Sequence, residues 1–134
     1  MTPVEPRFPD IHVLYVDSDA DLSKRVKRSL SRSFVMTMVT TAAEARSRLA
    51  EGTYQAIVTD DKLPDGSGRE LLEEVKARRP ECWRILVSLD EVSTPEGERA
   101  WIHLMRKPFN PFALSRAVET YTRGAAYEGT VLGI

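Results

Sequence analysis

Ile57-Val58-Thr59-Asp60-Asp61-Lys62-Leu63-Pro64-Asp65-Gly66-Ser67-Gly68 is the stretch whose reading decides the fold. A short apolar run ends abruptly in an acid, and a turn-rich loop follows. Ser67-Gly68-Arg69-Glu70 then has the capping-box form, a hydroxyl at the cap and an acid three residues later. The run predicts a strand over Gln55 to Thr59 that delivers Asp60. The box predicts a helix carrying Leu71, Leu72 and Val75, closed by Arg78-Arg79-Pro80. In an open α/β sheet, ligands sit beyond the carboxyl ends of the strands. Asp60 is therefore expected to point into that crevice, where an acid can bind a cation or attack phosphorus as a nucleophile.

The same alternation extends outward in both directions. Ile11 to Val16 is apolar apart from His12 and reads as a buried parallel strand, ending at Asp17. Leu22, Val26 and Leu30 recur every four residues, which predicts a helix from near Ser18 or Asp19 to near Ser31. Phe34 to Val39 reads as a second strand. Thr41-Ala42-Ala43-Glu44 is another capping box, opening a helix that stops at Gly52. Downstream, Trp83 to Leu89 is a fourth strand, Glu98 to Ile102 a short fourth helix and His103 to Arg106 a fifth strand. Asn110-Pro111 starts a last helix with Leu114, Val118 and Tyr121 on its apolar face, ended by Gly124. Residues 1–10 read as a loose, extended lead-in, residues 11–123 as one domain and residues 124–134 as a tail. Strand and helix alternate five times, which predicts an α/β fold with a doubly wound, five-stranded parallel sheet of order 2-1-3-4-5. In that order Asp17 and Asp60 leave strands on either side of the switch point and converge.

Composition narrows the function. The chain has 134 residues, with 42% apolar and 29% charged, enough for one domain with a real core. Its formal charge of −1, from 19 basic and 20 acidic residues, argues against a nucleic-acid partner. No apolar run approaches membrane-spanning length, and the first ten residues hold three prolines and no signal core. Cys82 is the only cysteine, so no internal disulfide forms. A cytoplasmic location suits that pattern. His12 and His103 have no metal-ligand partners at sensible spacing, so no zinc site is expected.

Over about Ile11 to Tyr121 the chain resembles the receiver domain of two-component response regulators, a flavodoxin-like fold. Val13-Leu14-Tyr15-Val16-Asp17 matches the first strand and its acid. Asp60-Asp61-Lys62-Leu63-Pro64 with Gly68 matches the phosphoacceptor loop. Leu86-Val87-Ser88 matches the fourth strand with its terminal hydroxyl, and Lys107-Pro108-Phe109 matches the segment after the fifth strand. The resemblance implies that Asp60 accepts a phosphoryl group from a sensor histidine kinase or phosphotransfer protein. It implies Mg²⁺ held by Asp17, Asp60 and the backbone carbonyl of Lys62. Lys107 would pair with phosphoryl oxygens, Ser88 would move to hydrogen-bond them, and the Lys107–Pro108 bond would be cis. Such a domain is a switch rather than an enzyme, with at most self-catalysed phosphotransfer and autodephosphorylation. The helix-1 face with Arg25, Lys27, Arg28 and Arg32 is where family members meet their kinases, and it also reads simply as a solvated face.

The pattern is departed from in four places. Ser18 stands where the family carries a second acid that binds the metal directly, and a neutral hydroxyl is a poorer ligand for a hard cation. Ser67 replaces an Asp, at little cost to a helix cap. Leu104 stands where a switching aromatic is usual. Ser88 to Lys107 is about one helical turn short, and Leu89 follows Ser88 where a small residue is common. Asp61 and Asp65 read as turn acids.

The leading expectation is a stand-alone receiver, since little sequence follows Tyr121, signalling through contacts with a downstream protein. Dimerisation stays open. The alternative is a degenerate receiver that binds partners without phosphorylation. A third reading takes Val16-Asp17-Ser18-Asp19 as the start of a haloacid-dehalogenase-type phosphatase. Asp21 stands where that motif wants Thr or Val, and no segment is long enough for a substrate-covering cap.

Overall fold

The computed structural model describes residues 5–89 and 101–124. Its elements are β1 (His12–Val16), α1 (Ala20–Leu30), β2 (Val35–Val39), α2 (Ala42–Glu51), β3 (Ala56–Asp60), β4 (Lys62–Leu63), β5 (Gly66–Ser67), α3 (Gly68–Arg78), β6 (Trp83–Ser88), β7 (His103–Arg106) and α4 (Pro111–Thr122). The five longer strands form one parallel sheet in the order β2-β1-β3-β6-β7. Counted along that sheet, this is the expected order 2-1-3-4-5. Among the described residues, no helix is long and apolar enough to cross a membrane.

Both faces of the sheet are apolar because both are covered. On one face Val13, Val58, Ile85 and Val87 pack against Leu22, Val26 and Leu30 of α1 and Leu114 and Val118 of α4. On the other, Leu14, Val16, Ile57 and Leu86 pack against Ala42 and Ala45 of α2 and Leu71, Leu72 and Val75 of α3. The caps are those expected. Thr41 accepts from the Glu44 amide, Ser67 from the Glu70 amide and Asn110 from the Phe112 amide, with Pro111 in the first turn.

Two expectations meet a different outcome, and a third lies almost wholly outside the described residues. The loop after Asp60 contains a two-stranded antiparallel ribbon, β4 against β5, which pairs Lys62 with Ser67 and Leu63 with Gly66. The lead-in is not loose from residue 5 onward. The amides of Arg7 and Phe8 donate to the carbonyls of Arg32 and Ser33. Phe8 stacks on Phe34 at 6.0 Å, with the Arg7 and Arg123 guanidiniums over its ring at 4.9 and 4.8 Å. Phe8 thus docks the segment on the core while its backbone is tied to the residues that follow α1. The short fourth helix falls outside the described residues except for Trp101 and Ile102, which are not helical.

Arg84 is a charged residue in the interior strand β6, 5% exposed. Its guanidinium donates to the carbonyls of Trp101 at 2.9 Å, Cys82 at 2.7 Å and Pro80 at 3.2 Å. It thus ties the start of β6 to the segment entering β7. Arg84→Met is expected to lower stability by about 3 kcal/mol, because buried carbonyls lose their donors. A urea titration checks this, and an unchanged midpoint would refute it.

Candidate functional site

Parallel pairing brings four strand ends to one edge. Val16 lies beside Thr59, Asp60 beside Val87 and Ser88 beside Arg106. The residues that follow, Asp17 and Lys107 among them, therefore leave the sheet on the same side. The Lys107 amide donates to the Ser88 carbonyl at 2.7 Å, which carries the β6–β7 pairing one residue further. The Lys107–Pro108 bond is cis, as the resemblance implies.

Lys107 joins the two acids. Its Nζ lies 3.0 Å from Asp17 Oδ2 and 3.3 Å from Asp60 Oδ2. Asp17 is only 1% exposed and is met by protein donors. Its Oδ2 also accepts from the Tyr15 hydroxyl at 3.1 Å, and its Oδ1 accepts from the Asp19 amide at 2.9 Å. Asp19 in turn caps α1 through the Leu22 amide at 3.1 Å. A buried carboxylate needs such partners, since an uncompensated buried charge is costly.

Burial pushes the Asp60 carboxyl above its ordinary value, and the neighbouring Asp17 adds to this; Lys107 pulls the other way without cancelling it. Burial works against the Lys107 ammonium, but its hydrogen bond to Asp17 and the charges of Asp17 and Asp60 outweigh that and push it up. Burial, with the charge of Asp17, raises the Tyr15 hydroxyl well above its usual range. The pH consequence follows from Asp60. Its folded form binds a proton more readily than its unfolded form, so its contribution is fully present below the unfolded value and is lost as pH rises through the folded one. Asp60→Asn is therefore expected to stabilise the domain at neutral pH, with the gain shrinking as pH falls through the carboxylate range. Melting temperatures of both proteins across pH check this; a gain independent of pH would contradict it.

The loop after Asp60 is tied down from three directions. Gly68, the first residue of α3, lies against the backbone of Asp60. A methyl group there would overlap the Asp60 carbonyl oxygen, with its carbon at 2.9 Å and Thr59 Oγ1 at 3.1 Å. The Gly68 amide donates to the Asp61 carbonyl at 2.8 Å. Asp65 reaches across to α2, where its two oxygens accept from the Ala42 and Ala43 amides at 2.8 and 2.9 Å. Those two amides hold its carboxyl below the ordinary range. Asp65 is thus a capping residue for a distant helix, not a simple turn acid. Asp61 is also more than a turn acid. Ser88 Oγ donates to Asp61 Oδ2 at a long 3.4 Å, and Arg69 Nε lies 3.7 Å from Asp61 Oδ1.

The structure thus brings Asp17, Asp60 and Lys107 together, with Ser88 buried beside them and directed at Asp61. Ser18 is exposed next to Asp17. Lys62 opens β4. Leu104 packs on the α2 and α3 side of the sheet, where it has no hydroxyl to offer. Sequence reasoning missed Tyr15, although the two-residue period of a strand puts it on the same face as Asp17.

Similarity to known proteins accords with this geometry. The sequence pattern of the response regulator receiver domain matches residues 13–119. The chain belongs to that family. The receiver is 28% identical over 121 residues to the hydrogenase transcriptional regulatory protein HoxA of Cupriavidus necator, covering 87% of this chain and 25% of that protein. It is 28% identical over 116 residues to the regulatory protein VanRB of Enterococcus faecalis, covering 84% of this chain and 53% of that one. The chain thus spans about half or less of the length of these two regulators. Among solved structures it resembles the BeF3-activated receiver domain of DrrB from Thermotoga maritima, with 30% identity and a TM-score of 0.76 over 85% of this chain and 98% of that one. Receiver domains are signalling switches that work with histidine kinases or phosphotransfer proteins.

Receivers generally bind Mg²⁺ beside the phosphoacceptor. Among the described residues of this receiver, no group of three or more His, Cys, Asp or Glu side chains is disposed to hold a metal ion. The oxygens on offer are hard donors of the right kind: Asp60, Asp17 through Oδ1, and backbone carbonyls. Such a set fits a divalent cation that keeps several waters. It has one charge fewer than a site with an acid at position 18.

Proposed function

We propose that this receiver accepts a phosphoryl group on Asp60 from a phosphohistidine of a sensor kinase or phosphotransfer protein, and signals through contacts with another protein. The observation that carries the reading is Lys107 Nζ bridging Asp17 and Asp60 at the carboxyl edge of the sheet. In the transfer a carboxylate oxygen of Asp60 forms the new bond to phosphorus. The bond from phosphorus to the histidine nitrogen breaks, and its electron pair stays on the imidazole, which takes up a proton. The arriving group carries concentrated negative charge, so positioned cations and donors supply most of the catalysis. Lys107 is such a cation, positioned before the group arrives and able to follow its oxygens. Ser88 supplies a hydroxyl at the neighbouring strand end. Mg²⁺ would be held by Asp60, the Lys62 carbonyl, Asp17 and weakly Ser18, and when bound would neutralise charge on the phosphoryl oxygens.

The test is the intact mass of the protein after incubation with Mg²⁺ and a small phosphodonor. One phosphoryl increment is expected on the wild type and none on Asp60→Asn. An increment that persists in Asp60→Asn overturns the assignment. A second reading, a receiver that binds its partner without phosphate, is supported by Ser18 and by the three protein donors already on Asp17. It predicts no increment on the wild type even at high Mg²⁺, with Ser18→Asp restoring one.

A further inference from the structure

Asp61 is a node between β6 and the start of α3. Its amide donates to the Val87 carbonyl at 2.9 Å and its carbonyl accepts from the Gly68 amide at 2.8 Å, so its backbone is pinned to both β6 and the start of α3. Its side chain repeats that bridge. One carboxylate oxygen takes the hydroxyl of Ser88, the last residue of β6, and the other faces the guanidinium of Arg69, the second residue of α3. Both side chains of the ion pair are mostly buried, at 16% and 20% exposed, so solvent screens the pair less than it would at the surface.

We infer that Asp61 is a positioning residue that holds the Ser88 hydroxyl away from Asp60 in the unmodified protein, and that Arg69 keeps Asp61 in that place. The inference rests on the proposed role of Ser88 as the hydroxyl that turns toward a phosphoryl group on Asp60. A hydroxyl has one proton to give, so a bond to Asp61 and a bond to the phosphoryl group exclude each other. The long 3.4 Å contact makes the hold weak, as suits a bond that must be surrendered. Phosphorylation would then compete with α3 for Ser88, and the state of α3 would bear on how readily Asp60 is modified.

Beryllofluoride, which mimics a phosphoryl group on a carboxylate, is the probe. Its affinity in excess Mg²⁺ is compared for the full chain, Asp61→Asn and Arg69→Gln, alongside the rotamer of Ser88 from NMR couplings. Asp61→Asn is expected to bind about fivefold more tightly, because a neutral amide oxygen holds the hydroxyl less firmly than a carboxylate does and repels the anion less. Arg69→Gln is the decisive arm. Loss of a cation beside an anion site would by itself weaken binding, whereas release of Asp61 is expected to tighten it about threefold. Both variants are expected to shift the Ser88 rotamer. Weaker binding by Arg69→Gln, or an unmoved Ser88 rotamer in both variants, overturns the inference. If the rotamer shifts but no variant takes beryllofluoride at Asp60, the hold on Ser88 stands and the phosphoacceptor reading fails.

Discussion

Gly68→Ala is expected to cost about 4 kcal/mol of folding stability, a large share of what a domain of this size possesses. The reason is local and steric. The new methyl group would overlap the carbonyl oxygen of Asp60 and press on its carbon at 2.9 Å. Neither atom belongs to a flexible side chain. Both lie in the backbone of β3, which is paired with β1 on one side and β6 on the other. Relief requires α3 to move away, and α3 contributes the buried Leu71, Leu72 and Val75 to the core. A chemical denaturation midpoint measures the loss. Because Gly68 holds Asp60 from behind, any folded fraction should also take up phosphoryl groups poorly. Wild-type stability in the variant would mean that the α3 start is not held against β3 as described.

Lys107→Met is expected to slow phosphoryl uptake at Asp60 by at least about a hundredfold, the usual effect of removing one positioned charge partner from a developing anion. Lys107→Arg is expected to keep part of the rate, since a planar guanidinium carries the charge but not the compact reach of an ammonium. Lys107→Met also leaves Asp17 and Asp60 without the cation that now lies 3.0 and 3.3 Å from them. The charge of Asp17 already pushes the Asp60 carboxyl up, and the cation that opposes it would be gone. The variant should therefore gain more thermal stability from added Mg²⁺ than the wild type does. Time courses of intact mass give the rate, and melting curves with and without Mg²⁺ give the second effect. Unchanged uptake in Lys107→Met would remove this residue from the proposed chemistry.

Much of this protein was legible along the chain. The apolar runs ending in Asp17, Asp60 and Ser88, the caps at Thr41, Ser67 and Asn110, and the Lys107-Pro108 pair determined the alternation, the strand order and the convergence of Asp17, Asp60 and Lys107. They did so because helix periodicity, capping and strand alternation are local, and because a parallel sheet places all its carboxyl ends on one edge. Contacts that join residues distant in sequence or drawn from different elements were decided by the tertiary structure. Asp65 caps a helix more than 20 residues earlier. Asp61 meets Ser88 across 27 residues. Arg84 reaches the carbonyl of Trp101 across 17. In each case a short polar side chain or a buried guanidinium satisfies a partner that no spacing rule relates to it. The need for a partner is written in the residue type, but which partner supplies it depends on how the layers pack.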